Sequence, residues 1–197
     1  MAVETLGFLV FATSQVGTPG PANMTLLAAG ARFGLRPALP FVAGVALGKQ
    51  LIIWPIGLGL MGLAAGFPIL FAALKWASVA YILWLAWRIA GSSLTPKQAD
   101  ITPPGLIDGL WVHPLNPKAW GMIATGFTSF VEPGTPAIGA TFVIAVSLLC
   151  VQCVLHPLWC LGGQHLARLV AGTIYERSLM ISLAVLTVAS VIYVVVK

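Results

Sequence analysis

The stretch Gly17-Thr18-Pro19-Gly20-Pro21-Ala22-Asn23 lies in the middle of an otherwise apolar run, residues 5–29. Two prolines and two glycines within five residues cannot continue a helix, because each proline lacks an amide hydrogen and its ring clashes with the preceding turn. A second run, residues 105–130, is interrupted in the same way by His113-Pro114-Leu115-Asn116-Pro117-Lys118. Gly20-Pro21 and Asn116-Pro117 read as the N-cap and first position of two new half-helices. An offset of 96 residues carries Pro21 onto Pro117, Pro37 onto Pro133 and Pro40 onto Pro136. The two interruptions therefore read as the same feature in two halves of one chain.

Working outward from the breaks, four more apolar runs lie near residues 38–62, 69–88, 137–162 and 178–196. The chain is 59% hydrophobic and only 8% charged, against roughly 25% charged in a soluble domain. Ten Lys and Arg with five Asp and Glu cannot coat a 197-residue globule in water. That excludes a soluble enzyme or a DNA-binding domain. The net charge of +5 is spread without a basic patch, so no nucleic-acid partner is expected. In lipid, only helices or a closed barrel satisfy their own backbone. The runs are too long and too uniformly apolar for barrel strands, which alternate with period two. The reading is an all-α integral membrane protein of six spans. At about 20 residues per span, no length remains for a catalytic domain, and no enzyme activity or cofactor is expected.

The polar, proline-rich linker 91–104 divides a single transport domain, residues 1–197, into repeats 1–90 and 105–197. Three spans per half place the halves upside down to one another, an arrangement found in secondary transporters. The first and fourth spans are expected to break at the membrane midplane. Arg32, Arg36, Arg88, Lys97, Arg168 and Arg177 fall on one side, against Lys197 alone on the other. Basic loops stay in the cytoplasm, so both termini are expected outside. Nothing in the sequence excludes a homo-oligomer.

Opened backbone at mid-membrane is tolerated where it lines a cavity. Each half-helix start presents unpaired amides and about half a positive charge. In inverted halves both starts point at one region, which suits a carboxylate. Gln15, Thr18, Gly20, Pro21, Asn23, Asn116 and Pro117 are the expected contacts of that site.

Lys49 and Lys118 fall near the midplane, where an ionisable side chain costs about 3 kcal/mol or more and marks function. Lys118 is read as a partner for an anionic group, Lys49 as a proton carrier or a second contact. His113 is a candidate proton carrier beside the break, and Trp120 a candidate wall. Lys75, near a span end, reads as snorkelling. No acidic residue falls at the midplane, which disfavours cationic substrates. Cys150, Cys153, His156 and Cys160 share an arc of the fifth run. They read as apolar packing with His156 reaching water at the inner end, and indicate no disulfide framework. Metal export through these residues is the alternative, and a small channel or structural membrane protein a third.

Four motifs carry a resemblance: Thr18-Pro19-Gly20-Pro21-Ala22-Asn23, Gly44-Val45-Ala46-Leu47-Gly48, Tyr81-Ile82-Leu83-Trp84-Leu85-Ala86-Trp87 and Asn116-Pro117-Lys118-Ala119. With these motifs the chain resembles the LysE/RhtB family of amino-acid exporters over its whole length. The resemblance implies a multi-pass protein of the bacterial cytoplasmic (inner) membrane that exports amino acids or related metabolites by proton antiport. Two positions depart from the family pattern. Lys49 stands where an acidic residue is common, and His113 where a small or apolar one is. Both bear on the substrate, for which a small zwitterionic or anionic metabolite is expected.

Overall fold

The computed structural model describes residues 3–60, residues 73, 76, 80, 83, 84 and 87, and residues 102–196. Among these residues every element is helical, and the sole pairing of extended backbone is an isolated bridge between Val3 and Val131. The expected span 69–88 and Lys75 fall largely outside the described residues, as does most of the linker 91–104. Ala73, Trp76, Ala80, Leu83, Trp84 and Trp87 are helical and exposed.

The first apolar run is two helices, α1 (Thr5–Gly17) and α2 (Pro21–Phe33), with Thr18 and Gly20 in extended backbone between them. Gly34, at φ 77, ends α2 and starts α3 (Leu35–Pro55). Only glycine adopts that conformation cheaply. A π-helical turn, Ile56–Leu60, follows α3. The second half begins with a short helix, α4 (Leu106–Leu110), and a turn over residues 111–115. Then come α5 (Pro117–Phe130), α6 (Ala137–Val170) and α7 (Glu176–Val196).

Helix α6 runs to Val170, past the expected end at residue 162. Past the end of the apolar run the helix continues through Gly163, which serves contact. A Cβ there would strike the Leu27 carbonyl of α2, and one at Gly30 would strike the Cys160 carbonyl of α6. The paired glycines let α2 and α6 touch backbone to backbone. At 34 residues, α6 is about 51 Å long at 1.5 Å per residue, well beyond a hydrocarbon core of about 30 Å. The segment from Leu35 to Gly59 and α6 are the two long, apolar helices able to cross a bilayer among the described residues.

The faces of α6 give the solvent away. Ile138, Phe142, Val146, Val154 and Leu158 are exposed, whereas Thr141, Gln152 and His156 are buried. An apolar outside and a polar inside is the reverse of a helix in water and fits a lipid surround.

Two apolar clusters hold the halves together. One joins Phe8 and Ala12 of α1, Ile52 of α3, Ile123 of α5 and Leu148 of α6. The other joins Leu26 of α2, Phe41 and Val45 of α3, Val112 of the turn and Cys160 of α6. Helix α4 lies on α3 with Gly44 and Gly48 against the carbonyls of Leu106 and Leu110. Each broken segment thus packs on the long helix of the other half, α1 and α2 on α6, and α4 on α3.

Candidate functional site

The first break leaves carbonyls without their helical donors. Gln15 O would receive the amide of residue 19, but Pro19 has none. Val16 O would receive the amide of Gly20, which has left the helix. Both carbonyls are answered from elsewhere. Lys118 Nζ donates to Gln15 O at 3.4 Å. Asn23 Nδ2 donates to Val16 O at 2.6 Å and to Thr18 O at 2.8 Å. Thr18 turns back onto Ser14 O with its amide, 3.0 Å, and its hydroxyl, 2.5 Å.

The second break is closed by its own turn. Leu115 N donates to Trp111 O at 3.1 Å and Asn116 N to His113 O at 2.9 Å. Asn116 caps α5, its Oδ1 accepting from Lys118 N at 3.1 Å. The first amide of α5 able to donate is therefore occupied by the cap and not left bare for a ligand. The Trp120 indole donates to Pro114 O at 2.9 Å.

The two breaks face each other. Glu4 N donates to Phe130 O at 2.9 Å, and at the opposite end Lys118 reaches Gln15. Helices α1 and α5 therefore run antiparallel. The start of α2 lies alongside, where a Cβ on Gly20 would stand 3.2 Å from Lys118 Nζ. Between these ends lies a cavity of about 30 Å³, space for about two water molecules.

Of the sequence-predicted residues, Gln15, Thr18, Gly20 and Asn23 line this cavity from the first half, with Lys49 from α3. His113, Asn116 and Lys118 line it from the second. Pro21 and Trp120 are not in its wall. Pro21 and Pro117 are the first residues of α2 and α5, and Trp120 is spent on Pro114, pinning the turn. Lys49 is 3% exposed and makes no hydrogen bond or ion pair among the described residues. Lys118 has two roles: it lines the cavity, and its ammonium also steadies the C-terminal carbonyls of α1, where a cation is favoured. Among the described residues no carboxylate lines the cavity, and Glu4, Asp108 and Glu132 are exposed.

Comparison with known proteins follows the same lines. The family model described as "LysE type translocator" matches residues 14–196. The chain belongs to this family. Cysteine/O-acetylserine efflux protein of Klebsiella pneumoniae subsp. pneumoniae is 32% identical over 195 residues, 96% of each chain. The proteins of that name from Salmonella choleraesuis and Escherichia coli (strain K12) are 32% identical over 171 and 172 residues, 87% of each chain. No solved structure matches. As a LysE-type translocator the protein is a membrane transporter.

One residue of this translocator's cavity was misread in the sequence. His156 does not reach water. It is 1% exposed and lines the cavity. Gln152, 0% exposed, sits behind it, its Nε2 lying 3.4 Å from His113 Nε2 and 3.4 Å from His156 Nε2. The available signal was a polar pair four residues apart in an apolar run, hence on one helix face. Cys150 and Cys153 are exposed while Cys160 is buried. The three thiols thus do not converge with His156, and no group of three metal-ligating side chains forms among the described residues.

Proposed function

We propose that this translocator is a secondary-active exporter of a small amino acid or related zwitterionic or anionic metabolite, working by alternating access and coupled to protons. The observation that carries the reading is the meeting of two half-helix starts, Lys49 and Lys118 on one cavity with no carboxylate among the described residues. Positive helix ends and two ammonium groups hold a carboxylate and repel a cation. Small neutral amino acids such as cysteine and O-acetylserine, named for the relatives, fit this chemistry. Gln15, Thr18, Gly20, Asn23, Lys49, His113, Asn116 and Lys118 form the binding region, and Pro21, Pro117 and Trp120 shape it.

The cavity as it stands is too small for an amino acid, so loading requires the segments around it to part. The architecture supports such a motion. Residues 1–90 and 105–197 act as inverted repeats joined by 91–104, each laying its broken span on the long helix of the other. Both termini lie outside the cytoplasmic membrane, in keeping with the basic loops.

The test is transport by purified protein in proteoliposomes. Labelled cysteine or O-acetylserine is expected to move faster than labelled lysine. Lys118→Met is expected to slow it at least about tenfold, losing an interaction that binds the carboxylate. Lysine outpacing the neutral amino acids refutes the reading.

A further inference from the structure

At one wall of the cavity lies a buried polar unit: His113 and His156 line the cavity, and Gln152 stands behind them. His113 comes from the turn before α5, and Gln152 and His156 stand one turn apart on α6. They are 4%, 0% and 1% exposed. Three of their atoms, His113 Nδ1, Gln152 Oε1 and His156 Nδ1, lack a hydrogen-bond partner among the described residues. Buried polar atoms are nearly always paired, and three exceptions in one contact cluster call for an explanation.

The hydrogen positions supply one. Gln152 turns its amide nitrogen to both Nε2 atoms. An amide NH2 only donates, so in this orientation both Nε2 atoms have to accept and Oε1 faces no donor. Half a turn of the amide presents Oε1 instead. Both Nε2 atoms then donate, and each Nδ1 is open to a proton. The unit keeps its internal hydrogen bonds with or without an extra proton. In that orientation Gln152 Oε1 is satisfied, and the two Nδ1 atoms are the sites where a proton adds without disturbing either bond. The rings stack with centroids 5.8 Å apart at 26°, so a charge on one opposes a charge on the other and a single proton is carried at a time.

The charged surroundings leave few other carriers. Lys49 of α3 and Lys118 of α5 line the same cavity. Cys160 lies one turn further along α6. Helix α1 has no ionisable side chain, and Arg32 of α2 is at its far end. Glu176 and Arg177 stand in the first turn of α7, and Asp108 on α4 is exposed.

We infer that His113, Gln152 and His156 carry the coupling proton of this translocator, an assignment that rests on the transport reading above. A ring Nδ1 takes a proton from water on one side of the membrane, and the same N–H bond breaks to water on the other. No other bond changes. Gln152 is a positioning residue: it holds both rings through Nε2 and does not line the cavity.

Two transport modes in proteoliposomes test this with labelled O-acetylserine. Counterflow exchange needs the substrate site alone, whereas accumulation driven by an imposed pH gradient also needs the proton carrier. Gln152→Met keeps the length of the side chain and removes the amide. It is expected to hold counterflow within about twofold of the parent and to lower gradient-driven accumulation at least about tenfold. His156→Gln is expected to lower gradient-driven accumulation likewise. Unchanged accumulation in both variants overturns the assignment and leaves the transport reading standing. A parent protein that moves no amino acid in either mode overturns the transport reading itself. If Gln152→Met also loses counterflow, the otherwise unaltered protein decides. With the exposed His165 replaced by Asn, nitrogen-15 histidine spectra in lipid should show neutral Nε2–H rings, one of which gains a second hydrogen at Nδ1 between about pH 9 and pH 5. Rings that keep one hydrogen throughout overturn the proposal.

Discussion

The break between α1 and α2 and the break before α5 both contain prolines, yet they are repaired from opposite sides. At the first, a 13-residue helix ends on loose carbonyls, and the repair is a set of donors: the Asn23 amide and the Lys118 ammonium. At the second, α4 has only five residues and its turn closes its own carbonyls. What needs an answer there is an amide, and the Asn116 side chain supplies the acceptor. Two asparagines near the starts of α2 and α5, one the third residue of its helix and the other the cap, thus use opposite ends of the same group. The difference follows from which terminus each break exposes, since a helix ends in spare acceptors and begins with spare donors. One repair also crosses between the halves. Lys118, from the second break, answers a carbonyl of the first, so the two breaks are mechanically linked at the cavity.

The contrast is easiest to break at Asn23. Asn23→Leu leaves the Val16 and Thr18 carbonyls unanswered, at about 1–3 kcal/mol for each buried group. A loss of about 3 kcal/mol should be read as a lower unfolding temperature in detergent. Asn23→Asp keeps the shape without the donor and should be as damaging. A smaller effect is expected at the second break. Asn116→Ala removes a helix cap worth about 1 kcal/mol, while Asn116→Asp keeps the acceptor and should unfold near the parent temperature. Aspartate tolerated at both positions would show that the two amides do the same job. The smallest effect belongs to Trp120→Phe, which loses the bond to Pro114 O and about 0.5–1.5 kcal/mol. Its transport should stay near the parent rate, whereas a residue of the cavity wall would lower it.

Much of this was legible beforehand because proline acts locally. Pro19, Pro21, Pro114 and Pro117 forbid a continuous helix whatever surrounds them, so the breaks and the half-helix starts at Gly20-Pro21 and Asn116-Pro117 could be placed from the chain alone. Lys49 and Lys118 stood out because charge is scarce in apolar runs. Trp120 was misplaced because its ring depends on where the turn carbonyls point. His156 was misplaced because the sequence does not say which face of α6 meets the cavity. The end of α6 was set too early because it was placed where the apolar run stops, whereas the helix goes on through Gly163, which packs against the Leu27 carbonyl of a neighbouring helix.

By itself, then, the sequence determined the apolar runs, the points at which two of them must open, and the shortage of acidic groups near those openings. These are properties of single residues and their immediate neighbours. The tertiary structure alone decided which donor answers which carbonyl, that α1 and α5 lie antiparallel, and that Gln152 bridges two imidazoles from separate segments. Those outcomes depend on how closely helices approach and how each is rotated about its axis. Distant backbone contacts, such as Gly30 on Cys160 and Gly44 on Leu106, set that geometry.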